Sequence, residues 1–260
     1  MTTHENKTYT AQYFKESLPE WKRKKDPVLT KIFYRPISFC FAAFFANRGV
    51  GANAVSYLST IVALLACASY LTCSFAGGIT GALLVNFWLI LDCTDGNIAR
   101  SVKAEPYGEF VDATSSYLLV GLLFNVLGLY AYRQGGRLFH DAVEIIFLGA
   151  LASSFDSLMR LLYQKYIVVS RDWNEDGKIA QDGSNGGKID KIRIRVEQEI
   201  GMGGILPFAL ALMTAFHAVD FVIIAWCAYY GSVFVATLLY LSWKAWRKGR
   251  PPSLSEQADL

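Results

Sequence analysis

The sequence predicts an all-α protein: an integral membrane bundle of six transmembrane helices preceded by an N-terminal interfacial amphipathic helix. Hydrophobic residues make up 53% of the 260 and charged residues only 18%. The apolar residues gather into long runs instead of recurring at helical or strand period, so the lipid bilayer is the expected partner of most of the surface. A net charge of +3 is too small for a phosphate-neutralising face, and no nucleic acid is expected.

Residues 1–25 read as a polar cytoplasmic tail, 26–246 as a single membrane domain containing a cytoplasmic loop at 170–200, and 247–260 as a second cytoplasmic tail. The first 30 residues are too polar for a cleavable signal peptide. From Asp26 to Arg48, the basic residues Lys31, Arg35 and Arg48 mix with Ile32, Phe33, Phe39, Phe41, Phe44 and Phe45. A helix here is expected in the headgroup plane, with aromatics in the acyl boundary and basic groups toward anionic lipid. An amphipathic helix packed on protein is the alternative.

Six runs follow: Asn53 to Cys73, Ile79 to Arg100, Gly108 to Tyr132, Ala142 to Val168, a shorter one from Gly204 to Val219, and Phe221 to Trp243. Turn signals at Gly77-Gly78, Pro106 and Gly135-Gly136 separate several of them. With the N-terminus inside, all 25 Lys and Arg except Arg133 and Arg137 fall on the cytoplasmic side, which predicts that both termini are cytoplasmic. The five cysteines show no paired spacing, and four sit inside apolar runs as small hydrophobes.

Charges interrupt these runs at one place. Phe87 to Leu91 leads straight into Asp92, Asp95 and Arg100, and Asp112 stands near the start of the next run. A carboxylate at mid-bilayer costs roughly 2.5 to 3.5 kcal/mol, which makes intramembrane acids functional candidates. Asp92 and Asp95 share a helix face, Gly96 and Arg100 extend it, and a short turn at Pro106 is expected to let the next helix pack alongside and bring in Asp112. Three converging carboxylates need a cation, and hard oxygen ligands suit Mg2+ or Mn2+. The alternative is a set of buried ion pairs, for instance Arg100 with Asp92 or Asp95.

The run Asp92-Cys-Thr-Asp95-Gly96-Asn-Ile-Ala99-Arg100, followed by Gly108-Glu-Phe-Val-Asp112, closely resembles the signature of the CDP-alcohol phosphotransferase family, D-x2-D-G-x2-A-R-x8-G-x3-D-x3-D. Six spans, a basic segment before the first, and Gly51-Ala-Asn53 where family members often carry Thr-Pro-Asn extend the resemblance over most of the chain. It implies a membrane transferase of phospholipid or cell-surface glycolipid synthesis that passes a phospho-alcohol from a CDP-alcohol donor to an acceptor, releasing CMP. Carried over by position, Asp92, Asp95 and Asp112 are metal ligands. Asp92, Gly96, Ala99 and Gly108 wall the cytidine site, and Arg100 faces donor phosphate. The family also implies a homodimer and an active site at the cytoplasmic face.

The chain departs from the signature twice. Seven residues, not eight, separate Arg100 from Gly108, and Ser116 stands at the fourth aspartate, which in the family is a metal ligand and the base that deprotonates the acceptor. A serine is no base at neutral pH, and losing a general base costs ~10^2 to 10^4 in rate. Either the acceptor is already an anion, or another carboxylate such as Glu109 or Asp156 substitutes. Otherwise the protein is a catalytically inactive nucleotide- or lipid-binding homologue, or the serine is a laboratory substitution.

For a lipid or phosphate-bearing acceptor the family implies basic residues, and Arg160, Arg193 and Arg195 are the candidates. Asp156, four residues before Arg160, equally suits a simple pair with it. Asp172, Asn174 and Asp176 match the start of an EF-hand calcium loop, but Gly183 stands where the closing carboxylate belongs, and Asx-turn chemistry explains the composition without calcium.

Overall fold

The computed structural model describes residues 8–173 and 198–248. Every regular element among them is a helix. The segment expected as a tail begins with two short ones, α1 (Ala11–Ser17) and α2 (Glu20–Lys25). The Thr10 hydroxyl caps α1 by accepting from Tyr13 N at 3.1 Å. Phe14 is buried, and the Tyr13 hydroxyl donates to the Ser101 carbonyl at 2.8 Å, so this segment is folded onto the bundle.

A π-helical turn, Thr30–Tyr34, leads into α3 (Arg35–Ala46). Its apolar residues divide between two sides: Ile32, Phe33 and Phe44 are exposed, while Phe39 is buried in the core and Phe41 and Phe45 pack against it. Its polar side differs from the expectation: Thr30, Arg35 and Ser38 face protein, and Arg35 does not point to lipid headgroups. The reason is a partner the sequence does not advertise, the buried carboxylate of Asp26. Tyr34 donates to Asn86 Oδ1 at 2.5 Å, and burial pushes its phenol up to about 12, so it remains a neutral donor.

Five helices are long and apolar enough to cross a bilayer: α4 (Ala52–Leu71), α5 (Phe75–Ser101), α6 (Gly108–Gln134), α7 (Glu144–Trp173) and α9 (Val219–Lys248). The run expected as a further span holds α8 (Leu206–Ala215), whose ten residues reach about 15 Å, half the hydrocarbon thickness. The chain around α8 nonetheless travels far. Glu199 accepts from Val28 N at 2.9 Å at one end, and His217 stacks on Phe75, where α5 begins, at the other. Midway, Asn86 donates to the Pro207 carbonyl at 2.9 Å.

The expected side-by-side packing of α5 and α6 is replaced by a different order, in which α4 lies against both. A polar bridge spans the remaining gap: Trp88 Nε1 donates to Ser115 Oγ at 2.8 Å, and Ser115 pairs with Ser59 of α4 at 2.7 Å. α7 packs on α6 and on α9. At the far end of the bundle, fully buried Asp220 of α9 accepts from the backbone of Leu138 and Phe139 and anchors the α6–α7 connection. All five cysteines are free, and three are buried.

Candidate functional site

α5 and α6 have 27 residues each, about 40 Å, so roughly 10 Å of each exceeds the hydrocarbon core. The acidic residues lie in the last third of α5 and the first turns of α6, on the end of the bundle where α1 and α3 pack. Between those helices, Val102 to Tyr107 makes the turn. Gly108 N donates to the Glu105 carbonyl at 3.2 Å, and Tyr107 takes a left-handed conformation (φ 59°) with its ring in the open. A bulky residue in that region is strained, and it lets the chain turn directly into α6.

The Asp92 and Asp112 side chains face each other within hydrogen-bonding reach. Asp95, 4% exposed, accepts from Ser56 Oγ of α4 at 2.5 Å. Arg100 forms no ion pair with these acids; its guanidinium lies over Gly96, where a Cβ would come within 2.9 Å, and reaches Asn97 Oδ1 at 3.4 Å. The expected alternative of Arg100 paired with Asp92 or Asp95 is therefore not what is seen. Nor do three acidic, His or Cys side chains among the described residues form a ready-made cage around one ion.

A cleft of about 260 Å3 opens between the starts of α4 and α6 and the end of α5, with Asn53, Ser56, Asp95, Arg100, Glu109 and Asp112 on its walls. Gly96, Ala99 and Gly108 supply its small surfaces; Asp92, one turn before Asp95 on α5, is not on its walls. Two residues to which the sequence reading gave no role at the site shape it. Ser56 holds Asp95. Asn53 donates from its backbone to Glu105 Oε2 (2.7 Å) and from Nδ2 to the Pro106 carbonyl (2.9 Å), while its Oδ1 is buried with no partner. An orphaned acceptor beside two opposed carboxylates is the environment a polar ligand or cation completes.

Two charged residues were missed, Lys22 and Asp26, and a third, Arg35, was expected at lipid headgroups. Asp26 grips Arg35 by two bonds of 2.9 Å each, and Arg35 Nη1 reaches Asn97 Oδ1 (3.1 Å) and the Cys93 carbonyl (3.3 Å), between the motif acids of α5. Lys22 Nζ lies 3.1 Å from Asp26 and close enough to Asp92 and Asp112 for their charges to interact. In the sequence, the run Lys22 to Lys25 looks like a solvated charge cluster.

Ser116 is half-buried one turn beyond Asp112, its hydroxyl directed to the Asp112 carbonyl at 3.4 Å. Asp156 and Arg160 pair, with Arg160 Nε 2.5 Å from Asp156 Oδ2, which realises the simpler of the two expectations. Arg160 also lies over the Tyr117 ring. Arg193, Arg195, Asn174 and Asp176 fall outside the described residues, as does the side chain of Asp172. A track of two further clefts, about 660 and 160 Å3, continues from the acidic site. The larger shares Glu105, Gly108 and Glu109 with the first cleft, and Tyr117 and Gln164 with the one at Asp156 and Arg160.

No protein-family model matches the chain, and no curated protein does.

Proposed function

We propose that the protein is a membrane-embedded CDP-alcohol phosphotransferase that moves a phospho-alcohol from a CDP-alcohol to an acceptor and releases CMP, in phospholipid or cell-surface glycolipid synthesis. The observation that carries the reading is the pair of facing carboxylates, Asp92 and Asp112, with Asp95 one turn along and no basic side chain within ion-pair distance of any of the three among the described residues. Two like charges held together favour a cation, and carboxylate oxygens fit Mg2+ or Mn2+. Asp92, Asp95 and Asp112 are the residues that would hold it. Bound there, such an ion supplies charge neutralisation at the donor pyrophosphate.

The chain's own residues account for the rest. The small surfaces of Gly96, Ala99 and Gly108 admit a flat base, and Asn53 Oδ1 offers it an acceptor. Arg100, free of the acids, is available to a phosphate oxygen. The acceptor, lipid-borne or phosphate-bearing, approaches along the track past Tyr117 toward Arg160, with Arg193 and Arg195 contributing. The segment from Glu199 through α8 completes a sixth crossing, so that both termini and the site lie on the cytoplasmic side. The working unit is a homodimer.

Ser116 favours a second reading, an inactive homologue that binds nucleotide or lipid without turnover. Metal-dependent CMP release from CDP-alcohols, assayed in nanodiscs, separates the two. Under the transferase reading, Asp95→Asn and Asp112→Asn each lower CMP release by at least ~10^2-fold. Metal-dependent CDP binding with no CMP release, from this chain and from Ser116→Asp alike, sinks the transferase reading and leaves the binder.

A further inference from the structure

Three carboxylates line the track between the acidic site and Arg160, and two are already committed. Glu105 accepts from Asn53 N at 2.7 Å and caps the start of α4. Asp156 is buried in its pair with Arg160. Glu109 has neither a hydrogen bond nor an ion pair among the described residues, is exposed, and stands in the first turn of α6, one turn before Asp112. It is on the wall of the 260 Å3 cleft that holds Asp95 and Asp112 and on the wall of the 660 Å3 cleft that leads to Tyr117 and Gln164. Glu109 thus borders both the cleft of the acids and the cleft that leads toward Arg160. Ser116, where the resemblance calls for the base, lines none of the three clefts.

Resting on the proposed transferase reading, we infer that Glu109 is the general base of this chain and that the nucleophile it serves is a neutral hydroxyl. The Glu109 carboxylate takes the hydroxyl proton as the acceptor oxygen bonds to the phosphorus carrying the alcohol. The bond from that phosphorus to the pyrophosphate's bridging oxygen breaks, and CMP leaves with the electron pair. A free carboxylate at the junction of two clefts is positioned for this in a way a serine one turn beyond Asp112 is not.

CMP release is measured in nanodiscs from CDP-diacylglycerol, CDP-glycerol and CDP-inositol, with diacylglycerol, glycerol, myo-inositol and inorganic phosphate as acceptors. With the best hydroxyl acceptor, Glu109→Gln is expected to lower turnover by ~10^2 to 10^4-fold while metal-dependent CDP binding stays unchanged. Glu109→Asp is expected to keep most of the turnover that Glu109→Gln loses, since a carboxylate stays at the junction of the two clefts; a merely structural loss would be at least as large in the shorter aspartate as in the isosteric glutamine. Turnover retained by Glu109→Gln, or release only with inorganic phosphate, overturns Glu109 as base while the transferase reading stands. So does a silent parent chain that Ser116→Asp makes active. Silence from both across every pair overturns the transferase reading and this inference together.

Discussion

Asp26 and Arg35 are 2% and 5% exposed, a charge pair taken almost wholly out of solvent. Removing one partner of such a pair leaves the other buried and uncompensated, so Asp26→Ala should destabilise the fold by about 3 to 5 kcal/mol, read by denaturation in detergent. Replacing both together by apolar residues of similar volume, as in Asp26→Leu with Arg35→Met, should recover most of that loss; an equal loss in the double variant would mean that Arg35's bonds to α5 dominate. Legibility at this scale depends on background. Asp92, Asp95 and Asp112 were visible because each interrupts an apolar run, where a charge is expensive. Lys22 and Asp26 belong to a polar stretch and Arg35 to a segment that reads as amphipathic, where a charge carries no such penalty, and nothing local marks which of them is buried. Asn53 and Ser56 are small polar residues at a helix start, a position that would suit them with or without a ligand.

Among the helices, length and apolarity are local properties, and α4 to α7 and α9 could be read from the residues they contain. Packing order is not local. It depends on which faces can approach, and the placement of α4 against both α5 and α6 follows from small residues scattered along all three. A close approach occurs between α6 and α7, where a Cβ on Gly149 would collide with the Phe124 carbonyl and the Gly128 Cα. Close crossing of backbones at small residues is the usual way membrane helices gain packing energy. Gly149→Leu should therefore cost about 1 to 3 kcal/mol by forcing the pair apart, seen as a lower midpoint of thermal unfolding. An unchanged midpoint would show that α7 can slide without loss. The same crossing sets the distance from Glu109 on α6 to Arg160 on α7, so the variant should also disturb turnover with bulky acceptors more than nucleotide binding. The shorter run expected from Gly204 to Val219 is cut to the ten residues of α8 because its apolar residues continue through Phe216 to Val219, whereas the helix ends at Ala215 and the chain turns at His217 in a left-handed conformation.

Over the whole molecule the polar groups are unevenly divided. The turn from Val102 to Tyr107 and helices α1 to α3 gather at one end, and the Asp220-anchored connection occupies the other. Exposed Val102 and Leu138 mark the two ends. In sealed, oriented vesicles, Val102→Cys and Leu138→Cys should label with an impermeant thiol reagent from opposite sides, Val102→Cys from the side of the N-terminus. Labelling of both from one side would refute the topology. The clasp at the polar end also bears on how the protein is made. Asp26 and Arg35 leave the ribosome well before Cys93 and Asn97, so Arg35 has no bond to α5 until the α4–α5 hairpin is inserted. The N-terminal helices cannot complete their docking before that hairpin exists, and the acidic site cannot be covered before the chain reaches the turn that will line it.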